Sequence, residues 1–384
     1  MKTSLIKNCR LYNALKDAPN MSVLVKNGKI ISLEPSASEV NADNVIQAEG
    51  RILAPGFIDV HIQGAGGADV LDNTEQALST LGKTCARFGV TSYLATTVYK
   101  PDQDNTHLSL SAECVGRDLG GAALLGIHLE GPFIAQIKRG MIQPDCLSVP
   151  GSDILNKIND LCQGYLTMMT IAPELPGALD LIQSLEAQGT IASLGHTNAT
   201  YEQTLEGFSA GIHHVTHLFN AMRSLHHRDP GPLAAILNHE SVTAQIIPDG
   251  VHVEPPILQL ALSQLGWDRV ILITDGMQAL GLPEGKYVYN DLNYVSSGGT
   301  ARYHDGTLIG TAVGLSDLVK RTMTFTGCSL QTAIDMVTKN PARLLGLDRQ
   351  KGAIQIGMDA DLVLLDKDLS VYKTMVAGNI VFSQ

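Results

Sequence analysis

Short apolar segments with β character recur through the middle of the chain, and longer segments with helical spacing lie between most of them. The helical segments include 74–88, 178–187 and 256–265, in which apolar residues recur three and four positions apart. The eight predicted strands are 56–61, 91–98, 123–130, 165–171, 190–196, 212–217, 242–247 and 269–275. Because strands that alternate with helices favour parallel pairing, we predict an α/β fold in which eight units close into a (β/α)8 TIM-type barrel.

Both ends of the chain have a different pattern, with short β segments and turn residues in place of helical spacing. Asn27-Gly28 is a strong hairpin dipeptide between two such segments. Near the other end, 351–354 and 361–365 are strand-like, and 371–382 predicts a final hairpin around Gly378-Asn379. We therefore predict a small β-sandwich domain formed by residues 1–54 and 345–384 together, with a barrel domain, 55–344, inserted between them.

Three predicted strands end in side chains that can bind a metal ion, namely Glu130, His196 and His217. In a βα barrel the carboxyl ends of the strands meet at one face, so these side chains are expected to lie close together. Each also has a structural interpretation, because a lone strand-end histidine commonly packs in a core and Glu130 could be a solvated loop acid. Two imidazoles and one carboxylate suit zinc or ferrous iron with a position left for water. We predict one divalent metal ion per chain.

The last predicted barrel strand ends in a second carboxylate, Asp275. An acid that lies beside a metal site is a candidate general base. The structural alternative is that Asp275 caps the following turn. We predict that it is the catalytic residue.

Other polar residues fall at the same predicted face. His61 and Gln63 point the same way along the first strand and are candidates for a second metal site, although a neutral amide is a poor ligand for zinc. Arg228 suits a phosphate or a carboxylate, and His252 can hydrogen-bond a bound substrate. His213 is predicted to be a core histidine. This set favours hydrolysis of an amide or ester on a small anionic molecule.

Composition narrows the classes of function. A net charge of −11 argues against a general binder of nucleic acid or anionic membranes, but not against a small anionic substrate. No run of 18 apolar residues is present, so no membrane span is expected, and the opening MKTSLIKNCRLYN has too short an apolar core for a signal peptide. The six cysteines lack CxxC spacing, which predicts reduced thiols and a cytoplasmic location.

Seven motifs, in order along nearly the whole chain, resemble those of the amidohydrolase superfamily. They are PGFIDVH, IHLEGPF, SLGHTNATY, THLFNAM, RDPG, DGVH and GAIQIGMDADLVLLD. The similarity is to the enzymes of that superfamily that deacetylate N-acetylhexosamine 6-phosphates. It implies that Glu130, His196 and His217 bind the catalytic metal and that Asp275 is the acid and base.

The resemblance also implies a substrate site and an assembly. The residues expected to hold the sugar phosphate or to line the sugar pocket are Met141, Asn220, Ala221, Arg228, His252, Leu308, Ile309 and Gly310. In this family Arg228 is expected to reach the site of a neighbouring subunit, which implies a homodimer.

Two departures from the family pattern matter. Members commonly have Lys-Gly-x-His after the LEGP motif, whereas this chain has Ile142 at the histidine position. This leaves the identity of the amino sugar open. His61-Ile62-Gln63 matches neither the version with two histidines nor the version that lacks both. The number of metals therefore depends on Gln63, whose neutral amide favours one.

The sequence thus predicts a metal-dependent deacetylase that acts on a small amino sugar phosphate, with the gluco epimer favoured and the galacto epimer as the alternative. No nucleic-acid or membrane partner is expected. A cyclic-amide or dipeptide amidohydrolase would share the fold, but such enzymes generally use a paired HxH and a lysine that bridges two metals. A sugar-phosphate-binding regulator on an inactive scaffold is disfavoured because a binder does not need the base, Asp275.

Overall fold

Eight parallel strands form the central sheet of the computed structural model, which describes residues 3–15, 18–36 and 41–384. The strands are Phe57–Ile62, Val90–Thr97, Ala123–Glu130, Leu166–Ile171, Ile191–Leu194, His214–Val215, Thr243–Ile246 and Val270–Leu272. Each strand pairs with the next one along the chain. The first and last segments also meet, because the Asp275 amide donates to the His61 carbonyl at 3.0 Å and Ile62 forms a parallel bridge with Gly276. The predicted α/β barrel is confirmed.

Helices cover the outside of this sheet. The α-helices are Glu75–Arg87, Thr106–Cys114, Ser152–Cys162, Ala178–Ala187, Tyr201–Ala210, Gly231–Asn238, Pro255–Leu265, Leu315–Thr326, Leu330–Asp335 and Lys339–Leu344. Local sequence explains where several begin. Thr74 caps Glu75–Arg87, and Thr200 forms a capping box with Gln203 at the start of Tyr201–Ala210. The helices predicted at 74–88, 178–187 and 256–265 are all present within one or two residues.

The two faces of the barrel sheet have separate cores. Outward-facing residues such as Ala95 and Leu129 belong to one large apolar cluster with helix residues such as Leu81 and Leu185. Alternate strand residues face inward, and Ile58, Leu94, Met168 and Ile271 belong to a second cluster. Helices and strands therefore stabilise each other through the hydrophobic effect on one face, while the other face fills the barrel.

Toward the carboxyl ends of the strands, the barrel interior becomes polar. His128 Nδ1 donates to the Val60 carbonyl at 3.1 Å, and its Nε2 lies 2.9 Å from the Thr170 hydroxyl. Thr170 in turn bonds Thr216 at 2.8 Å, and Thr216 bonds Ser193 at 2.7 Å. Buried polar groups of this kind are tolerated because they are hydrogen-bonded. This layer supports the strand ends where the candidate site lies.

Strands from both termini join in one eight-stranded sheet. Its strands are Thr3–Leu11, Met21–Lys26, Lys29–Pro35, Asn44–Gln47, Ile52–Pro55, Leu362–Leu365, Val371–Val376 and Asn379–Ser383. Ile52–Pro55 links the two ends, since it pairs with Thr3–Leu11 on one side and with Leu362–Leu365 on the other. The hairpins predicted at Asn27-Gly28 and near Gly378 are both present. Of the predicted segment 1–54, residues 1, 2, 16, 17 and 37–40 lie outside the described residues.

One strand prediction in this region is wrong. Residues 351–354 form bends and coil, not a strand. The reason is local, because Gly352 has φ +87° and the Lys351 ammonium group is paired with Asp359 at 3.1 Å and with Asp361. The apolar side chains in this segment favour a strand, but the ion pairs of Lys351 with Asp359 and Asp361 set the course of the backbone.

A four-stranded antiparallel sheet is inserted after the eighth barrel strand. Its strands are Gly285–Tyr289, Leu292–Ser297, Thr300–Tyr303 and Leu308–Thr311, with a turn at Gly298-Gly299 between the second and the third. Tyr289 and Ile309 of this sheet form an apolar cluster with Met141 and Met277. The insertion therefore packs against the loop that follows the third barrel strand.

The structure bears on two features of the chain, possible membrane spans and the state of the cysteines. In the described part of the chain, no helix is both long enough and apolar enough to cross a membrane. All six cysteines are free thiols. Burial raises the pKa of both Cys9 and Cys162 to about 12, which makes these two thiols unreactive near neutral pH.

Candidate active site

Glu130, His196 and His217 meet at the carboxyl end of the barrel, as predicted. Glu130 Oε1 lies 3.0 Å from His196 Nε2 and 3.0 Å from His217 Nε2, and the two Nε2 atoms are 3.1 Å apart. The three side chains are buried, with at most 4% of each residue exposed. Three potential ligand atoms thus converge on one point, in the set of residue types that zinc and iron accept.

The hydrogen bonds behind this cluster show that it suits a cation. His196 Nδ1 faces the carbonyl oxygen of Lys138 at 2.8 Å, so this nitrogen carries the proton. In the neutral ring, Nε2 then presents a lone pair to Glu130 and to the other histidine. His217 Nδ1 has no partner among the described residues, so in the tautomer protonated there both rings present Nε2 lone pairs beside the carboxylate, and a positive charge among them removes the repulsion. The donor set therefore fits a divalent metal ion.

The backbone at the strand ends turns these side chains toward one another. His196, His217 and Asp275 have φ values of +48°, +27° and +47°. Residues other than glycine rarely adopt this left-handed region, and each such residue costs about 1–3 kcal/mol. The three residues adopt this conformation because it directs their side chains across the end of the barrel. Regular strand geometry would not give this direction.

Charge and burial oppose each other at Glu130. Burial alone would raise the pKa of this carboxyl group, but neighbouring His61 and the contacts with the His196 and His217 rings hold it well below its usual value. Burial lowers the pKa of His217, and nearby His196 adds to this effect. An ionised carboxylate beside a neutral imidazole is the state in which both groups bind metals.

The two second-site candidates are also in place. The His61 Nδ1–H group donates to Gln245 Oε1 at 3.0 Å, so Nε2 is left facing Glu130 Oε1 at 3.6 Å and Asp275 Oδ1 at 3.3 Å. Gln63 Nε2 donates to Glu130 Oε2 at 2.9 Å. The second oxygen of Glu130 is therefore held by an amide N–H group.

Asp275 lies at the rim of the cluster. Its side chain is 10% exposed, and Oδ1 has no hydrogen-bond partner among the described residues. A turn-capping role would require a backbone N–H group at the carboxylate, and none donates to Oδ1 in this part of the chain. The preceding residue is anchored, because the Thr274 hydroxyl donates to Asp59 at 2.6 Å. Asp275 is thus held in place by its neighbours, while its carboxylate remains available.

Three of the predicted substrate-binding residues lie in loops that follow the sixth and seventh strands. Asn220 donates to the carbonyl groups of His217 and Leu218, both at 3.3 Å. The Ala221 carbonyl accepts from the Thr197 amide at 3.1 Å. His252 Nδ1 is 2.7 Å from Asp249 Oδ2, so only Nε2 is left for a ligand.

The predicted sugar-pocket residues come together on the side of the inserted sheet. Met141 and Ile309 share one apolar cluster, and Leu308 begins the strand that contains Ile309 and Gly310. Gly310 has φ +141°, and a Cβ atom there would lie 2.4 Å from the Asp275 carbonyl oxygen. Only glycine fits at this position. Ile142 is 1% exposed and packs in a separate apolar cluster.

Arg228 is not brought to the cluster within this chain. It is exposed on the loop after the sixth strand, where its Nη1 lies 2.8 Å from His227 Nε2. The structure therefore assembles the other predicted residues at one face and leaves this arginine at the surface.

The prediction for His213 is wrong. Its side chain is 46% exposed and lies 3.5 Å from Glu186, whereas the neighbouring His214 is buried and contacts the Thr243 hydroxyl at 2.7 Å. Burial lowers the pKa of His214 to about 3. In a regular strand His213 would share the face of His217, but the strand His214–Val215 ends before His217, so the alternation of side chains does not extend to it.

Sequence reasoning missed the residues that orient the site from behind. Gln245 fixes the His61 ring, and Asp249 fixes the His252 ring. Gln245 could have been identified from the sequence, because an amide inside the buried strand Thr243–Ile246 needs a hydrogen-bond partner. Asp249 could have been identified too, since it precedes His252 in the DGVH motif.

The fold and the site together define the class of protein. The amidohydrolase family profile matches residues 52–381, so the chain belongs to the amidohydrolase family. The chain is 33% identical to N-acetylglucosamine-6-phosphate deacetylase of Bacillus subtilis (strain 168), over 98% of this chain and 97% of that protein. It is 34% identical to N-acetylgalactosamine-6-phosphate deacetylase of Escherichia coli O157:H7, over 93% of each. The structure of a Mycobacterium smegmatis N-acetyl-D-glucosamine-6-phosphate deacetylase mutant in complex with N-acetyl-D-glucosamine-6-phosphate superposes with a TM-score of 0.90. That enzyme is 31% identical to this chain, and the match covers 100% of this chain and 99% of that one.

Proposed function

We propose that this protein hydrolyses the N-acetyl group of an N-acetylhexosamine 6-phosphate, giving acetate and the amino sugar 6-phosphate. The observation that carries the proposal is the convergence of Glu130, His196 and His217, with the available carboxylate of Asp275 beside them. The relatives that match nearly the full length of the chain are deacetylases of such sugars. A cyclic-amide or dipeptide hydrolase is disfavoured, because Gln63 stands where a second metal-binding histidine would be expected.

In the proposed mechanism Glu130, His196 and His217 hold one divalent metal ion, zinc or iron. When bound, such an ion polarises the amide carbonyl and lowers the pKa of water. Asp275 accepts a proton from the attacking water and returns it to the leaving amine, because its carboxylate is the available base at the rim. His252 presents Nε2 to the substrate, and Asp249 holds its ring in that orientation.

The remaining predicted residues supply substrate binding in this proposal. Asn220 and Ala221 bind the sugar phosphate, and Met141, Leu308, Ile309 and Gly310 line the sugar pocket. Because Arg228 is exposed and its guanidinium contacts His227, not the converging ligand set, we propose that it serves the site of a second copy in a homodimer.

Arg228→Ala should raise KM for the phosphorylated substrate about ten- to hundredfold, the effect of losing one charged hydrogen bond. KM for the unphosphorylated sugar should change little. Steady-state kinetics on both sugars measure this difference. Arg302→Ala, at an exposed arginine whose Nη1 donates to the Gly306 carbonyl, is the matched control. Equal losses on both sugars would mean that Arg228 is structural.

Subunit mixing tests whether Arg228 acts across the interface. Mixed dimers of Arg228→Ala and Asp275→Asn subunits contain one site with both native groups only if Arg228 comes from the partner. At substrate concentrations well below the KM of Arg228→Ala, we expect such dimers to be more active than either parent. No recovery after verified exchange of subunits would place Arg228 in its own subunit's site or outside the mechanism.

Gln63→His tests the proposal of one metal per chain. A second imidazole beside His61 would provide a better donor set and remove the amide that occupies Glu130 Oε2, so the variant should retain more metal than the native protein. Metal analysis after exhaustive dialysis should find about one equivalent in the native protein and more than one in the variant. Gln63→Ala is the control, since it frees Glu130 without adding a ligand. Two equivalents in the native protein would contradict the proposal.

The favoured substrate is the gluco epimer, and the galacto epimer is the second candidate. Ile142 supports keeping both, because a buried apolar residue stands where family members commonly have a sugar-contacting histidine. Acetate release from N-acetylglucosamine 6-phosphate and N-acetylgalactosamine 6-phosphate should be measured side by side. A higher kcat/KM for the first supports our assignment, a higher value for the second reverses the epimer, and no acetate from either refutes the function.

Two broader features belong to the same proposal. We infer that residues 1–54 and 345–384 form a β-sandwich domain apart from the barrel, 55–344, and their separate apolar cluster, which includes Val23, Ile30 and Leu362, supports this division. The cytoplasm is the proposed location, on the basis of the cysteine pattern alone.

A further inference from the structure

The turn that follows His196 depends on one carboxylate from a neighbouring loop. His196 has a left-handed backbone, a conformation that persists only where the surroundings hold it. The Lys138 carbonyl holds the ring itself, and the backbone from which it projects is held by the contacts of the next residues, Thr197 and Asn198. Both of these residues are bound by Glu174, which lies in the loop after the fourth strand, Leu166–Ile171.

Glu174 uses both of its oxygen atoms on this turn. Oε2 accepts from the Thr197 hydroxyl at 2.6 Å, and Oε1 accepts from the Asn198 amide at 2.6 Å. The Thr197 hydroxyl also accepts from the Ala199 amide at 3.0 Å, which fixes the direction in which it donates. Hydrogen bonds to an ionised carboxylate are short and about twice as strong as neutral ones. Glu174 is half-buried, so water competes only in part.

The same turn is tied to the loop after His217. The Thr197 amide donates to the Ala221 carbonyl at 3.1 Å, and the Arg223 amide donates to the Thr197 carbonyl at 3.1 Å. One carboxylate therefore connects, through Thr197, the loops that carry both histidines. Glu174 itself is not a member of the converging ligand set.

We propose that Glu174 is a positioning residue that pre-organises His196, and through Thr197 the His217 loop, for binding the metal ion. The inference rests on the proposed function, because it assumes that these histidines are ligands. Loss of partners outside the ligand set typically lowers metal affinity ~10–100-fold. Glu174 should act in this way, by raising the fraction of molecules in which the ligand atoms already converge.

Substitutions at Glu174 should therefore give a graded result. Glu174→Ala removes both hydrogen bonds and should weaken Zn²⁺ binding ~10–100-fold. Glu174→Gln keeps an acceptor for the Asn198 amide but presents an NH₂ group to the Thr197 hydroxyl, so it should lose less. Glu186→Ala is the matched control. Glu186 accepts from the Ala192 amide at 3.2 Å near the other end of the same barrel strand, Ile191–Leu194.

Chelator competition on purified, metal-free protein measures the Zn²⁺ affinity of each variant. The melting temperature in the presence of EDTA shows whether each metal-free variant is folded. We expect metal affinity to fall in the order native, Glu174→Gln, Glu174→Ala, with Glu186→Ala near native. Native affinity in Glu174→Ala overturns the inference. So does a loss of the same size in Glu186→Ala, which would mark a general effect on strand stability. If Glu174→Ala does not fold, native affinity in Glu174→Gln overturns it as well.

His196→Ala separates this inference from the function on which it rests. If native protein binds Zn²⁺ tightly and His196→Ala does not, the metal site stands and the Glu174 variants decide the positioning role alone. If native protein and His196→Ala bind Zn²⁺ equally, the proposed metal site fails and the positioning role fails with it.

Discussion

Replacing Asp275 by asparagine should lower kcat by ~10²–10⁴-fold while leaving the bound metal in place. Asparagine has the shape of aspartate but cannot take a proton, so the loss isolates the acid–base role. The fold should tolerate the change, because Oδ1 of Asp275 has no hydrogen-bond partner among the described residues. Acetate release and metal content of the same preparation measure the two effects.

The control for this variant is Asp317→Asn, at an exposed carboxylate that pairs with Lys320 on a surface helix. It should have native turnover. Near-native turnover in Asp275→Asn would remove Asp275 from the mechanism, and loss of metal in that variant would show that Asp275 acts as a ligand.

Glu130→Gln should remove both metal and activity. Glu130 is the one anionic member of the converging set, and the surrounding histidines hold its pKa well below the usual value, so it is ionised at neutral pH. An amide brings no charge to offset that of a dication. We expect metal affinity to fall by more than the ~10–100-fold typical of residues outside the ligand set, with activity falling in parallel.

Chelator competition and acetate release check this second prediction. Excess Zn²⁺ should restore part of the activity of Glu130→Gln, because weakened binding can be overcome by concentration. Full native metal affinity in this variant would contradict the proposed ligand set. The fold is not expected to change, since Gln63 Nε2 can donate to the new amide oxygen as it does to Glu130.

The barrel could be predicted from the sequence because its signal is local. Each strand is a short apolar segment, and each helix carries apolar residues at helical spacing, so both patterns exist before any tertiary contact forms. The cluster of Glu130, His196 and His217 followed from the fold, because parallel strands in a barrel bring their carboxyl ends to one face. The strand His214–Val215 ends before His217, so the alternation of side chains along a strand did not identify His214 as the buried histidine.

The supporting contacts could not be predicted in this way. The bonds from Glu174 to Thr197 and from Gln245 to His61 join residues 23 and 184 positions apart. Nothing in the sequence near Glu174 distinguishes it from a solvated loop acid, and its role depends on the course of a different loop. The coil at 351–354 is a similar case, because Lys351 is fixed by carboxylates several residues later.

The most direct test of the proposed mechanism is stoichiometric titration of metal-free protein with Zn²⁺, with acetate release from N-acetylglucosamine 6-phosphate as the readout. Activity should be near zero without metal, rise in proportion to added Zn²⁺ and stop rising at about one equivalent per chain. Full activity without metal, or activity that rises only between one and two equivalents, would contradict a single catalytic metal held by Glu130, His196 and His217.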